Sequence, residues 1–250
     1  MASTPITRVS SLTMEEFASS LAAGRWLLLP FGTVEGHGPH IALGADVIDA
    51  THVCGRVAER IGGLVAPAFP YGICRTMRNF PGTVSLSAAT FTAAVREVVQ
   101  EYVRHGARRL ALYSGHAEPA QLEALREAVL PIVDTDPALV ALVVGPYAFL
   151  DAVRESAGLT GRDGHAASLE TSTVLALDPG AVRLDRVPDI RERPKLSAFR
   201  VSAHPETEFP TAVRGDATRV SRELGQRAID HVVTEFAALL ERVARTGREW

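Results

Sequence analysis

Four short apolar runs, separated by stretches of helical periodicity, constrain the fold of this chain more than any other feature. Trp26-Leu27-Leu28-Leu29, Leu64-Val65-Ala66, Leu110-Ala111-Leu112-Tyr113 and Leu139 to Val144 lack polar alternation, so each reads as a strand covered on both faces. Helical stretches fill the intervals. Thr13-Met14-Glu15-Glu16 fits a capping box, opening a helix that stops at Gly24. Further helices are predicted from about Asp49 to Ile61, Ala88 to His105, Pro119 to Val133, Ala166 to Leu177 and Arg219 to Arg245. Strands alternating with helices predict an α/β fold: one domain over residues 1–250, on a mainly parallel central sheet with helices on both faces. Pro70 to Thr83 reads as a long loop, and Pro188 to Pro210 as a polar excursion with four prolines.

Composition narrows the function classes. Lys plus Arg number 26 against 29 Asp plus Glu, a formal charge of −3, which leaves no basic footprint for nucleic acid. No apolar run approaches the roughly 18 residues of a membrane span, so no membrane partner is expected. The N-terminal stretch MASTPITRVSSL lacks a basic region followed by an apolar one and does not read as a secretory signal. Two cysteines, Cys54 and Cys74, make neither a disulfide framework nor a metal-ligand spacing. The expected setting is the cytoplasm, and the expected partner a small-molecule substrate.

Ligands of open α/β sheets gather beyond the carboxyl ends of the strands. Two segments lie there. Phe31 to Asp46 contains Glu35, His37, His40 and Asp46 among four glycines and a proline. Ser114 to Glu118 carries His116 and Glu118 just past a buried strand. Imidazole with carboxylate suits zinc, manganese or iron. Each residue has a plainer reading: His37 and His40 as polar loop residues, Glu118 as the acidic start of a helix. A third segment places His165 five residues before Glu170. On one helix they would point about 140° apart, so they converge only if His165 lies in the approach to the helix.

Together these segments resemble the creatininase family of metal-dependent amidohydrolases. The family pattern E-x-H-G-P-H-x-x-x-x-x-D corresponds to Glu35 through Asp46, N-G-H to Ser114-Gly115-His116, and H-A-G-x-x-E-T-S to His165 through Ser172. Phe80 to Leu86 and Val213 to Ala217 give weaker matches, in family order. The resemblance implies two divalent ions per chain, zinc, manganese or iron. Glu35, Asp46 and His116 would hold one, and His37, Asp46 and Glu118 the other, with Asp46 bridging. It implies His165 as the catalytic histidine, Glu170 beside the site as ligand or anchor, and a homo-oligomer, with a hexamer as the family form. The implied reaction is hydrolysis of a C–N amide bond in a cyclic amide, a formamide or a small peptide-like substrate.

Departures from the pattern fall around the ligands. Gly36 replaces a glutamine, Ser114 and Pro119 replace asparagines, His40-Ile41-Ala42-Leu43 replaces H-x-P-L, and Gly161 to Gly164 stands where creatininases place a lid tryptophan. A retained reaction on a substrate other than creatinine is the expectation. Arg75, Arg78, Thr83 and Ala117 are the expected substrate contacts, the arginines because guanidinium pairs bidentately with carboxylate or phosphate. Cys74 reads equally as a reactive thiol or an inert small residue. The competing reading is a non-catalytic protein that keeps the metal for stability or ligand sensing; such a protein would have no use for His165.

Overall fold

A computed structural model describes residues 7–194 and 202–248. Five strands carry the sheet: β1 (Thr7–Arg8), β2 (Leu27–Phe31), β3 (Leu64–Val65), β4 (Arg109–Ser114) and β5 (Val140–Val144). They lie in the order β1-β3-β2-β4-β5, and every neighbouring pair is parallel. The helices are α1 (Met14–Ala22), α2 (Ala45–Ile61), α3 (Ala88–Arg104), α4 (Pro119–Thr135), α5 (Asp151–Ser156), α6 (Ser168–Leu177) and α7 (Arg222–Thr246).

The apolar runs are buried on both faces because successive side chains serve two different cores. Leu28, Ala111 and Tyr113 pack with α2 and α7 on one face. Leu27, Leu29, Phe31, Leu110 and Leu112 pack with α3 and α4 on the other. Each fully buried leucine of this kind contributes about 1.5–3 kcal/mol. The single-domain α/β fold with a parallel sheet is the one the alternation predicts.

Strand order locates the functional edge. From β2 the chain moves to β3 on one side, then crosses to β4 on the other. The direction of winding therefore reverses between β2 and β4, which is where such sheets open a crevice at their carboxyl ends. The two segments rich in ligand types follow these two strands.

Several boundaries differ from expectation. α2 begins at Ala45 rather than near Asp49, because Gly44 accepts the first helical bond from the Ile48 N–H (3.0 Å). Asp46 is thus in the first turn of a helix, not in a loop. α6 begins at Ser168 rather than Ala166, whose φ of 53° is incompatible with the helix. Ser221 caps α7 by accepting from Leu224 N (3.1 Å), so the helix starts at Arg222, three residues beyond the expected Arg219. Strand β1 and helix α5 are too short for periodicity to reveal. Of the excursion Pro188 to Pro210, residues 195–201 lie outside the described part.

A candidate metal centre and its cavity

Asp46 reaches the sheet edge because two segments can approach it closely. A Cβ added to Gly115, the residue after β4, would sit 2.1 Å from the Asp46 carbonyl oxygen. Only glycine lets the end of β4 pass this near the first turn of α2. Around Asp46 the structure gathers Glu35 and His37 from the loop after β2, His116 from the loop after β4, and His165 and Glu170 from the start of α6. His37 is fully buried, and Glu35, Asp46 and His116 nearly so.

Three of the histidines share one construction. His37 Nδ1 lies 3.1 Å from the Glu35 carbonyl, His116 Nε2 3.0 Å from that of Ile73, and His165 Nε2 2.9 Å from that of Gly36. A carbonyl can only accept, so each of these nitrogens carries a proton and donates it. In the neutral ring the other nitrogen then presents a lone pair. These lone pairs all face carboxylates. His37 Nε2 is 3.3 Å from Asp46 Oδ1 and 3.7 Å from Glu170 Oε1. His116 Nδ1 is 3.1 Å from Asp46 Oδ2 and 3.3 Å from Glu35 Oε1. His165 Nδ1 is 3.4 Å from Glu35 Oε1 and 3.9 Å from Glu170 Oε2.

Lone pair facing carboxylate is repulsive unless a proton or a cation lies between them. Buried His37 Nε2 and Asp46 Oδ2 have no hydrogen-bond partner among the described residues. Burial opposes charge on His37 and His116, but Asp46 and Glu170 around the first, and Glu35 and Asp46 around the second, hold both imidazoliums well above their usual range. Burial would raise Glu35 and Glu170, yet the neighbouring histidines outweigh it and hold both carboxyls well below theirs. The cluster is charge-matched for cations. Among the described residues, three groups could each hold a metal ion: Glu35, Cys74 and His116; Glu35, His37 and His165; and His37, Asp46 and Glu170. Backbone-anchored imidazoles with carboxylates fit a divalent ion of the zinc or manganese kind.

The approach to α6 solves the convergence that spacing alone forbids. Ala166 holds a left-handed backbone, its N–H donates to Glu170 Oε2 (2.5 Å), and His165 is thereby swung onto the same side as Glu170. Strain of this kind costs about 1–3 kcal/mol and gathers at functional sites.

The structure redistributes the remaining candidates. Glu118 does not join the ligand cluster: it precedes α4, and its Oε2 accepts from the backbone N–H groups of Arg75 (3.1 Å) and Thr76 (3.4 Å). Glu170 stands in the group where Glu118 was expected. Glu118 instead lines, with Ala117, a cavity of about 950 Å³ that also exposes Glu35, His116, His165 and Glu170. Arg75 and Arg78 are exposed and outside that wall, because the loop turns Thr76 and Met77 inward in their place. Thr83 stands outside that lining; its Oγ1 accepts from Gly36 N (2.9 Å) and pins the first loop. His40 faces Thr171 Oγ1 (3.0 Å), and burial pushes its pKa down to about 4, so it is a neutral strut. Cys74 donates from Sγ to Glu35 Oε2 (2.6 Å), an inward placement that composition could not disclose.

Sequence reasoning missed two further sets. A buried relay orients His116: Gln121 donates to Ser114 Oγ (3.0 Å), Ser114 donates to the His116 carbonyl (2.6 Å), and Gln121 Oε1 accepts from Ile73 N (2.9 Å). Arg154, Arg193 and Arg214 all line the cavity. Arg214 stood inside a matched segment, Val213 to Ala217, but nothing in spacing marked it.

Comparison with known proteins agrees with this geometry. The Creatininase family model, described as creatinine amidohydrolase, matches residues 10–240. A creatinine amidohydrolase of Pseudomonas putida is 38% identical over 252 residues, covering 92% of this chain and 94% of the relative. A mycofactocin precursor peptide peptidase of Mycobacterium ulcerans (strain Agy99) is 31% identical over 244 residues, covering 90% and 88%. A solved mutant creatininase of the Zn–Zn type superposes with a TM-score of 0.88 at 31% identity, covering 98% of this chain and 100% of its own; a manganese form gives 0.87 at 32%, with the same coverage. Described residues include no helix long and apolar enough to cross a membrane. A family match from residue 10 to 240, carried by a relative that shares 38% of its residues across 92% of the chain, makes this protein a member of the creatininase family.

Proposed function

We propose that this chain is a dinuclear metal amidohydrolase that cleaves a C–N amide bond in a small substrate other than creatinine. The observation that carries the reading is the common construction of His37, His116 and His165, each fixed by a backbone carbonyl and each aiming its second nitrogen at the Glu35, Asp46 and Glu170 carboxylates. Glu35, Asp46 and His116 would hold one ion, and His37, Asp46 and Glu170 the other. Asp46 suits the bridge because its two oxygens already face different histidines. Bound there, the two ions would supply an activated water and a polarised carbonyl, the two needs of amide hydrolysis that side chains meet poorly.

The protein's own groups do the rest. Water adds to the acyl carbon, the C–N bond breaks, and the amine leaves as a poor leaving group that requires a proton. His165 Nδ1 faces the carboxylates at the cavity wall, where its lone pair would take the proton given up by the attacking water and pass it to the leaving nitrogen; its Nε2–H, held on the Gly36 carbonyl, keeps the ring from turning away. Glu170, fixed by the Ala166 N–H, keeps its carboxylate beside both histidines. A cavity of about 950 Å³, lined by Gly161, Asp163 and Gly164 where creatininases place a lid tryptophan, favours a substrate larger than a creatinine ring. The named relatives, a creatinine amidohydrolase and a peptide peptidase, bracket the range.

Metal analysis of the zinc- or manganese-loaded chain, with a hydrolysis screen over cyclic amides, formamides and short peptides, tests the reading. Two ions per chain are expected. Asp46→Ala should lose both, Glu170→Gln chiefly one, and Glu118→Gln neither. One ion or none in the wild type overturns the dinuclear centre, and loss of metal in Glu118→Gln would return that residue to the ligand set.

We further propose a cytoplasmic setting, in keeping with the buried Cys54 and Cys74 outside any disulfide, and a single domain that assembles as a homo-oligomer, with a hexamer the form that the family resemblance implies. Light scattering at micromolar concentration should report about six times the 26.8 kDa chain mass, and a monomer would overturn the assembly.

A further inference from the structure

Three arginines, Arg154, Arg193 and Arg214, stand in the lining of the cavity beside the metal centre, and they differ in one respect. Arg154 is committed: its Nε donates to Asp163 Oδ2 (3.1 Å) and its Nη1 to Asp151 Oδ1 (3.3 Å). Arg193 and Arg214 make no side-chain hydrogen bond or ion pair among the described residues, and Arg214 Nε is buried without a partner. A buried guanidinium nitrogen left without an acceptor costs free energy comparable to a lost charged hydrogen bond.

Arg214 is also built into place. Its backbone N–H donates to the His165 carbonyl (2.8 Å). A Cβ on Gly164 would sit 1.9 Å from the Arg214 carbonyl oxygen, so the segment before His165 and the segment around Arg214 are in backbone contact. The guanidinium carbon lies 5.4 Å from the centroid of the Phe209 ring, which supports the planar group from one side. The same hypothetical Cβ on Gly164 would lie 3.6 Å from Arg193 Nε, so both free arginines flank the residue that precedes His165. Of the acidic side chains in the same lining, Glu35 and Glu170 face histidines, Asp151 and Asp163 face Arg154, and Glu118 accepts from backbone amides while also attracting Arg214; exposed Glu155 makes no side-chain hydrogen bond or ion pair among the described residues.

Resting on the amidohydrolase reading above, we propose that Arg214, assisted by Arg193, seats a carboxylate of the substrate, so that this enzyme hydrolyses amides bearing a negative charge. Planar guanidinium matches a carboxylate bidentately. Neutral creatinine offers no group for it. An N-acyl amino acid or a short peptide with a free C-terminus offers one near the scissile amide.

The test uses the full, zinc-loaded chain and matched substrates: N-acetyl amino acids and dipeptides with a free carboxylate, their terminal carboxamides, and analogues with a phosphate monoester at that end. Wild type should favour the carboxylate over the carboxamide by roughly 10–100-fold in kcat/KM, mainly through KM. Arg214→Gln should bring that ratio towards one, Arg214→Lys should restore part of it, and Arg193→Gln should lower it less. Melting temperature and metal content of each variant show that it is folded and loaded. A wild-type ratio near one, or a ratio that survives in Arg214→Gln, overturns the proposal; preference for the phosphate ester overturns the carboxylate assignment. Succinate binding, followed calorimetrically, is read without turnover and should weaken at least tenfold in Arg214→Gln. If no amide is hydrolysed yet succinate binding depends on Arg214, the amidohydrolase reading falls and the anion seat stands. If neutral and charged amides are hydrolysed alike and succinate ignores Arg214, the seat falls and the amidohydrolase stands.

Discussion

Stripped of divalent metal, the protein should lose stability as pH rises above about 6.5, and zinc should restore it by a larger margin the higher the pH. The sign follows from the histidines. His37 and His116 have folded-state pKa values raised above the ordinary 6.5, so their contribution is complete below 6.5 and disappears as pH climbs through the raised values. Glu35 and Glu170 are depressed below the ordinary 4.5, so theirs is present above 4.5 and disappears as pH falls through the depressed values. Without metal, stability is therefore greatest between about pH 4.5 and 6.5, where protons on the imidazoles separate them from the carboxylates. Zinc needs the same nitrogens unprotonated, so its affinity rises where the stripped protein weakens. At a free concentration near a thousand times Kd, one site adds about 4 kcal/mol. For a chain of this size that is a rise in Tm of roughly 8–16 °C. Scanning calorimetry from about pH 5 to 9, with chelator and with excess zinc, measures both slopes. A zinc-induced shift that does not change with pH would remove these histidines from the ligand set.

Much of this site was legible before its geometry, for a physical reason. Continuous apolar runs force doubly covered strands, and doubly covered parallel strands force ligands to their carboxyl ends. The two segments that carry Glu35, His37, His40, Asp46, His116 and Glu118 follow from β2 and β4 on that argument; the family resemblance selects Glu35, His37, Asp46 and His116 among them, and the candidate metal cluster contains all four. His165 and Glu170 were legible as a condition, convergence only off the helix, and the left-handed Ala166 meets it. What spacing could not supply was side-chain direction within loops. Arg75 and Arg78 sit in the correct loop and face solvent, while Met77 and Cys74 of the same loop are buried. Glu118 sits in the correct loop and turns to the amides of residues 75 and 76, whose N–H groups have no other acceptor among the described residues. Arg214 is more than forty residues from His165 in sequence, and only the backbone bond between them makes it a neighbour. Local periodicity carries the scaffold and its functional edge. Long-range packing of irregular segments decides which polar residues of that edge face inward.

His165→Ala should lower kcat by about 10²–10⁴-fold while both ions stay bound. That loss is roughly 3–5 kcal/mol of barrier at about 1.36 kcal/mol per tenfold. It should fall on kcat more than on KM, because the proton reaches the leaving nitrogen only in the transition state. Geometry makes the alternative sharp, since His165 Nδ1 also lies in a group with Glu35 and His37 that could hold a metal. Among the three histidines of the cluster, exposure separates the two roles. The His165 side chain is 16% exposed and lines the cavity, whereas those of His37 and His116 are 0% and 6% exposed. A proton donor must meet the substrate, and a ligand that completes a closed centre need not. Removing the ring leaves Glu35, Asp46 and His116 for one ion and His37, Asp46 and Glu170 for the other, so neither set loses a member. The variant does forfeit the bond to the Gly36 carbonyl and the ring contact with His37, whose centroids lie 4.4 Å apart, which together should cost about 1–2 kcal/mol of stability. Metal content, Tm and kcat measured on one variant therefore distinguish the roles: a missing ion, with activity partly recovered in excess metal, makes His165 a ligand, and full turnover per folded molecule removes it from catalysis.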